Sequence, residues 1–153
     1  GNFGVKLCGT EKTLIEPEER IGFGTVTNQG MPFYGGNLVY EADFETNESG
    51  EAEITVSRYR GALLEVSVDD KEPQKLAFAP YKVNMGHLEK GKHTIRIKCF
   101  GNRHNSFGTL HMCDYQKDWI GPGEWYTEGS RWSYEYCLKD MGVISSPVIE
   151  IMR

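Results

Sequence analysis

Alternation of apolar and polar residues is the dominant pattern along this chain. In the run NLVYEADFE, alternate positions are apolar and would share one face of a strand: Leu38, Tyr40, Ala42 and Phe44. The residues between them are mostly acidic, which is the pattern of a half-buried strand. The same spacing recurs in three later runs, whose apolar faces hold Ala52, Ile54 and Val56, then Leu64, Val66 and Val68, and then Ile95, Ile97 and Cys99. The pattern therefore predicts four strands.

Weaker patterns predict further strands and the turns between them. Three more strands are expected in the runs QKLAFAPYKV, SYEYCLKDMGV and SPVIEIM. Pro80 confines the end of the first run to a sheet edge or a bend, because proline cannot donate a ladder hydrogen bond. Turn chemistry is found at TNESG, from Thr46 to Gly50, and at Asp69-Asp70-Lys71 and Lys90-Gly91. The best helix candidate is TEKTLIEPEER, which Pro17 limits to a turn or two.

These elements predict an all-β chain. Many short strands separated by Gly, Asn, Asp and Pro turns are typical of an antiparallel β-sandwich or barrel, here with little helix. The length of 153 residues fits one domain. We therefore expect residues 1–153 to form a single β-sandwich domain, with residues 1–21 as a lead-in segment packed on it or preceding it. The segment after TIRIKCF is then a long connection between late strands.

Composition narrows the classes of function. Hydrophobic residues make up 39% and charged residues 25% of the chain, which is typical of a soluble globular protein. The net charge of −5 argues against a dedicated nucleic-acid binder, which usually carries a basic patch. No apolar run approaches the roughly 20 residues of a membrane-spanning helix. We expect neither a nucleic acid nor a membrane as partner.

The four cysteines, Cys8, Cys99, Cys113 and Cys137, form no C-x-x-C pair. Cys99 and Cys137 lie in strand-like runs, so the favoured interpretation is reduced thiols that act as small buried hydrophobes. The N-terminal run GNFGVKLCGTEK shows no apolar signal segment. Together these features slightly favour a cytoplasmic location.

The run from Asn105 to Trp125, NSFGTLHMCDYQKDWIGPGEW, carries the densest candidate chemistry. Glycoside hydrolysis needs two carboxylates held roughly 5–9.5 Å apart. Asp114, Asp118 and Glu124 are the acids available, and no partner strand is evident beside them. We interpret them as solvated loop charges and predict no catalytic residue.

Metal and nucleophile sites are not predicted either. His111 and Cys113 could share one face of a strand, but no third group orients them for nucleophilic catalysis, and a zinc site needs three or four ligands. The run YEADFETNESGE supplies oxygen atoms that could hold a structural calcium, yet it lacks the EF-hand pattern. Solvated turn acids are the favoured interpretation, so no cofactor is expected.

Aromatic residues suggest a second use of the same segment. Trp119, Trp125 and Tyr126 could stack against a sugar ring, and Trp125 and Tyr126 are expected to face outward because loops run over the surface. Candidates for the orienting hydrogen bonds are Arg58, Arg60, Asn105 and His111. The competing interpretation is packing, in which Trp119 and Trp132 clamp the long loop onto the sandwich. Packing is favoured, and exposed aromatic patches would reverse that preference.

Five motifs follow one another in order: QGMPFYGGNLVYEADF, YRGALLEVSVDD, LEKGKHTIRIKCFGNRHNSFGTLH, WIGPGEW and WSYEYCLKDMGV. The most specific parts are PFYGGNLVY and NSFGTLH followed by WIGPG. From Gly22 to about Ile149, this order resembles the galactose-binding-like jelly-roll domain of large bacterial glycoside hydrolases, similar to the α-L-rhamnosidases and the family-two β-galactosidase group. The resemblance implies an accessory β-sandwich, usually non-catalytic, that packs against a catalytic domain elsewhere in the polypeptide.

Three functions remain open after this comparison. The first is a non-catalytic accessory domain that binds carbohydrate weakly. The second is a purely structural domain whose partner is a neighbouring glycoside hydrolase catalytic domain of the same polypeptide. The third and weakest is an independent glycoside-processing enzyme. The fold alone does not choose among them, because one fold hosts many functions.

Overall fold

The computed structural model describes residues 2–114 and 121–152. Strands account for 43% of this part of the chain and helices for 7%, and every described strand pair is antiparallel. The prediction of an all-β antiparallel sandwich with little helix is confirmed. No described helix is long and apolar enough to cross a membrane.

The chain contains eleven described strands and one short α-helix. In chain order the strands are β1 (Gly4–Cys8), β2 (Glu11–Ile15), β3 (Leu38–Thr46), β4 (Gly50–Thr55), β5 (Tyr59–Arg60), β6 (Leu63–Val68), β7 (Gln74–Leu76), β8 (Lys82–Leu88), β9 (Gly91–Phe100), β10 (Gly142–Val143) and β11 (Val148–Met152). The helix α1 spans His104–Phe107, and 3₁₀ turns span Val26–Asn28 and Pro122–Glu124.

The fold divides into two compact units. The sandwich unit comprises residues 21–25, 36–101 and 141–153, and the loop unit comprises residues 1–20, 26–35 and 102–140. All strands except β1 and β2 lie in the sandwich unit. A domain is defined by independent folding, which this division by contacts does not test. The single domain expected from the sequence therefore stays a prediction.

The sandwich unit holds two main sheets. One has the strand order β3-β9-β6-β7 and the other the order β11-β4-β8, while β5 and β10 form a separate pair. The apolar faces expected from the alternation are the buried ones, which confirms these strands and their orientation. Fully buried members are Ala52, Ile54, Val56, Leu64, Val66, Val68 and Cys99.

Charged residues on the outer face support the register of the larger sheet. Glu41 of β3 lies opposite Arg96 of β9, and the Arg96 guanidinium donates hydrogen bonds of 2.7 and 3.0 Å to the Glu41 carboxylate. On the other side of β9, Lys98 lies 3.8 Å from Glu65 of β6. A shift by one residue would place these charges on the buried face, so the alternation and the pairs specify the same register.

The candidate helix in TEKTLIEPEER is wrong, because Glu11–Ile15 forms strand β2 and pairs with β1. Cys8 lies opposite Glu11 across a two-residue turn. Gly9 has a φ of 59°, a left-handed conformation that such hairpin turns require and that glycine adopts without strain. Pairing with β1 therefore overrides a weak local helix pattern.

Two strand predictions also need correction. The run QKLAFAPYKV is interrupted, since β7 ends at Leu76 and β8 begins at Lys82. Pro80 lies in the turn between them, as predicted, and the Tyr81 N–H donates to the Phe78 carbonyl at 3.1 Å. The run SYEYCLKDMGV forms no strand before Gly142. Its backbone N–H groups do not pair with one neighbouring strand. The Ser133 N–H donates to the His111 carbonyl, and the Cys137 N–H donates to the Leu110 carbonyl.

The cysteines are all free, and two of them are buried, Cys99 and Cys137. Burial raises the pKa of the Cys99 thiol to about 11. This thiol therefore stays protonated near neutral pH and acts as a small hydrophobic residue, as the sequence predicted. Cys8 is exposed and Cys113 is half-buried.

A hydrogen-bonded clamp fixes the turn that follows β6. His93 Nδ1 lies 2.8 Å from Asp69 Oδ2, and His93 Nε2 lies 2.8 Å from the Glu89 carbonyl oxygen. Because both partners are acceptors, the doubly protonated imidazolium satisfies them best. The hydrogen bond to Asp69 raises the pKa of His93, and the bond to Glu89 acts in the same direction. Burial opposes ionisation of Asp69, but hydrogen bonds from His93 and the Thr94 N–H outweigh it and lower the Asp69 pKa.

We expect Ile97→Ala to destabilise the sandwich unit strongly. Ile97 is 1% exposed in the middle of β9, and truncating a buried isoleucine costs about 2–5 kcal/mol of unfolding free energy. Val39→Ala is the matched control, because Val39 is 52% exposed on the adjacent strand, and it should cost less than about 1 kcal/mol. Urea denaturation of both variants measures the difference. Equal losses would contradict the assigned faces.

The clamp predicts a loss of stability at alkaline pH. Because the pKa of His93 is higher in the folded chain than in the unfolded chain, the clamp adds to the unfolding free energy. This contribution is complete below the ordinary histidine pKa of about 6.5. It is lost as the pH rises through the raised pKa of the folded chain. The lowered Asp69 pKa contributes stability that is lost only as the pH falls through its own folded value. Unfolding free energies measured between pH 5 and pH 9 should therefore decline in the parent chain and less steeply in His93→Gln. His87→Gln, which changes an exposed histidine, should keep the parental decline; parallel profiles for the parent and His93→Gln would refute the clamp.

Candidate functional site

Two segments of the loop unit, residues 108–114 and 121–140, lie against each other. The Cys113 N–H donates to the Arg131 carbonyl at 3.0 Å, and the Ser133 N–H donates to the His111 carbonyl at 2.8 Å. Met112 and Trp132 form an isolated antiparallel bridge. The described parts of the long connection after β9 are therefore held together by backbone pairing.

Asn105 anchors the return of this connection. Its side chain is 3% exposed, its Nδ2 donates to the Lys139 carbonyl at 2.7 Å, and its Oδ1 accepts from the Lys139 N–H at 3.0 Å. The sequence suggested Asn105 as a carbohydrate-binding candidate. Both polar atoms of its side chain are instead used inside the protein.

The motif PFYGG packs against α1. The Ser106 hydroxyl donates to the Phe33 carbonyl at 2.8 Å. A Cβ added at Gly35 would lie 2.7 Å from Ser106 Oγ, closer than real Cβ contacts come. The absence of a Cβ at Gly35 therefore permits this close approach.

A cavity of about 390 Å³ opens between the two paired segments. Trp125 and Tyr126 stand at its rim, 57% and 37% exposed, which confirms that they face outward. Most of the remaining lining is apolar or weakly polar: Gly108, Thr109, Leu110, His111, Met112, Glu124, Thr127 and Trp132. An apolar pocket with a few polar groups is the usual form of a small-molecule site.

A row of five rings includes two residues of the cavity lining, His111 and Trp132. The ring centres of neighbouring members are 4.4 to 5.5 Å apart, in the order Tyr134, Trp132, His111, Tyr136 and Phe33. Tyr134 and Tyr136 were not among the predicted site residues, although the alternation of aromatic residues in WSYEY was a signal for them. Trp132 therefore packs within the protein, as the packing interpretation proposed, whereas Trp125 and Tyr126 stand outside the row.

His111 is held in one orientation. Its Nδ1 lies 2.9 Å from the Ser133 carbonyl oxygen, and because a carbonyl only accepts, Nδ1 carries the proton. In the neutral imidazole, Nε2 is then a hydrogen-bond acceptor. Within residues 2–114 and 121–152, Nε2 has no hydrogen-bond partner.

Arg131 fixes the position of Tyr126. Its Nη1 donates to the Tyr126 hydroxyl at 2.7 Å and lies 3.4 Å from a Glu124 oxygen, and its Nε lies 3.7 Å from an Asp114 oxygen. The side chains of Glu124 and Asp114 are only 17% and 28% exposed. These two acids are therefore ion-paired and mostly covered, and the expectation of solvated loop charges is wrong for them. Asp118 lies outside the described residues.

The other sequence candidates lie elsewhere. Trp119 is outside the described residues. Arg60 belongs to β5 of the sandwich unit and Arg58 precedes that strand, and neither lines the cavity. In the described part of the chain, no three His, Cys, Asp or Glu side chains are placed to hold a metal ion.

Comparison with known proteins identifies no family for this chain. No family model, no curated protein and no solved structure matches the chain. The resemblance to galactose-binding-like domains therefore stays a prediction.

We expect Asn105→Ala to destabilise the loop unit. The substitution removes both hydrogen bonds between the buried Asn105 side chain and the Lys139 backbone, and each lost bond costs about 0.5–1.5 kcal/mol. Asn28→Ala is the control, because it removes the same amide from an exposed site of the same unit. Thermal unfolding followed by tryptophan fluorescence reports the effect, and a loss no larger than that of the control would refute the anchoring role.

Proposed function

We propose that this chain is a non-catalytic accessory domain of a carbohydrate-active enzyme, and that the cavity beside Trp125 binds a saccharide. The observation that carries the proposal is the exposed indole of Trp125 at the rim of an apolar cavity. The order of motifs along the chain supports a galactose-binding-like jelly roll as the fold of this domain. Its partner is then a carbohydrate that is bound weakly.

The chemistry of the cavity suits a sugar ring. The C–H groups on one face of a sugar pack against an aromatic face, and Trp125 and Tyr126 offer two such surfaces. Sugar hydroxyls require a few fixed polar partners, and His111 and Glu124 supply them within the lining. The cavity volume of about 390 Å³ lies within the range of small-molecule pockets.

The rim of the cavity is ordered before any ligand arrives. Pro122 begins a 3₁₀ turn in which the Glu124 N–H donates to the Gly121 carbonyl at 3.0 Å, and the proline ring presets one backbone dihedral. Arg131 holds the neighbouring Tyr126 by its hydroxyl. A preordered site loses less entropy on binding, which matters most for weak ligands.

The arrangement of acids supports a non-catalytic role. A glycosidase directs its two carboxylates at the substrate from opposite sides of the scissile bond. Asp114 and Glu124 instead share one guanidinium, that of Arg131, within 4 Å of both. The independent enzyme therefore remains the weakest alternative.

A structural domain that supports a catalytic neighbour is the second candidate. The exposed aromatic side chains favour it: Phe107 in the loop unit is 71% exposed, and Phe78 in the sandwich unit is 86% exposed. Single exposed apolar residues are common on protein surfaces, however, and only a contiguous patch marks an interface. Carbohydrate binding is therefore the favoured function.

We expect Trp125→Ala to weaken saccharide binding at least about tenfold, a loss of 1.4 kcal/mol, because it removes the largest stacking surface. Chemical-shift titration against galactosides, rhamnosides and plant polysaccharide fragments measures the affinity of the parent chain, which we expect to be near millimolar, about −4 kcal/mol. Phe107→Ala is the matched control, since it removes an exposed ring that does not line the cavity.

Two results would decide against the proposal. If the parent chain binds no saccharide at high millimolar concentration, the structural function is favoured instead. If Trp125→Ala stays folded and binds as well as the parent, the binding surface lies elsewhere.

A further inference from the structure

We propose that the loop unit binds a short free peptide in a cleft beside strand β1. This β1 cleft has a volume of about 820 Å³, and residues of β1, of the chain from the end of β2 to Glu18, of the turn at Gly30 and of the segment 136–140 line it. It shares no lining residue with the cavity beside Trp125. The inference therefore goes beyond the proposed function and does not depend on it.

The outer edge of β1 offers backbone groups to the cleft. In an antiparallel pair, only alternate residues turn their backbone groups toward the partner strand. Val5 turns away from β2, because its N–H donates to the Gly30 carbonyl at 2.8 Å, and Leu7 has the same direction two residues later. Among the described residues, none accepts a hydrogen bond from the Leu7 N–H. An unpaired strand edge of this kind is a template for an extended peptide.

Charged side chains of both signs line the cleft without neutralising one another. Lys6 supplies an ammonium group, and Glu18 and Asp140 supply carboxylates. In the described part of the chain, no ion pair or side-chain hydrogen bond engages any of these three groups. All three are exposed, so they are accessible to a ligand. A ligand with charges of both signs can meet Lys6 with its carboxylate and an acid with its ammonium group.

An apolar wall completes the cleft, and part of it is fixed by ring packing. Leu7, Leu138 and Tyr136 belong to the lining. The Tyr136 ring packs against those of Phe33 and His111, with ring centres 4.9 and 4.7 Å apart. Because this ring is held before a ligand arrives, binding costs less conformational entropy.

These features favour a peptide over other ligands. Three consecutive residues of β1, from Val5 to Leu7, line the cleft, so an extended peptide of about three residues lies alongside them. Its backbone pairs with the strand edge, its two ends meet the charges, and an apolar side chain packs on Leu138. A neutral sugar would leave both signs of charge unused. A metal ion is not favoured either, because no three of the described His, Cys, Asp and Glu side chains are placed to hold one.

The first test compares a free peptide with blocked forms of the same peptide. Trileucine, N-acetyl-trileucine, trileucine amide and triglycine are titrated against the parent chain by NMR at constant ionic strength. We expect trileucine to bind with a dissociation constant near 1 mM or below, about −4 kcal/mol. Each blocked form should bind at least about fivefold more weakly because it lacks one charged end, and triglycine should bind more weakly because it lacks apolar side chains.

The second test assigns each end of the peptide to its partner. In Lys6→Gln, trileucine and its amide should bind within about twofold of each other, because the group that distinguishes them is gone. Lys90→Gln changes an exposed lysine outside the lining and should keep the full preference. A merely structural effect of Lys6 would weaken both peptides equally and leave their ratio unchanged.

The acids are tested in the same way. The double variant Glu18→Gln and Asp140→Asn should lose the preference for trileucine over its N-acetyl form. The matched double variant Glu16→Gln and Glu19→Gln removes two exposed acids outside the lining and should retain that preference.

The possible results either support or overturn the inference. A parent chain that binds no trileucine, or that binds free and blocked peptides equally well, refutes the peptide site. If Lys6→Gln and the acid double variant both keep the parental preferences, the peptide binds elsewhere and the β1 cleft is the wrong site. Trp125→Ala should bind trileucine as the parent does, so a failure of the carbohydrate proposal is read separately from a failure of this one.

Discussion

The pairing of β9 on both of its edges is the constraint on which the sandwich unit depends. This strand pairs with β3 from Gly91 to Cys99 and with β6 from Ile95 to Phe100. Ile95, Ile97 and Cys99 point from it into the core. Burying these side chains requires the register that also pairs Arg96 with Glu41. The same register therefore buries the apolar face of β9 and gives the charged residue on its outer face a partner.

Polar anchoring orders the segment that follows β9. Asn105 joins the start of the long connection to Lys139 near its end, and His111 and Ser133 exchange a side-chain and a backbone bond halfway along. Buried hydrogen bonds of this kind are costly to break because each leaves an unsatisfied group. The cavity therefore has a fixed outline, although few regular elements surround it.

The aromatic residues of the loop unit divide into two groups with different roles. Trp132, Tyr136 and His111 pack against one another, whereas Trp125 remains exposed at the cavity rim. Residue type alone cannot make this distinction, because the same rings serve for packing and for sugar recognition. The proposed function therefore depends on which ring faces are left uncovered.

The sequence by itself determined the strands whose alternation is complete, including β3, β4, β6 and β9, and it determined which of their faces is buried. This was possible because the alternation of a strand is local and one face must meet the core. Only the tertiary structure decided that Glu11–Ile15 is a strand and that Ser133–Asp140 is not. It also brought His111 and Glu124 to one cavity and gave Asn105 an internal role. These outcomes depend on hydrogen bonds and ring contacts between residues far apart in the chain, such as Asn105 and Lys139, and no local pattern encodes such contacts.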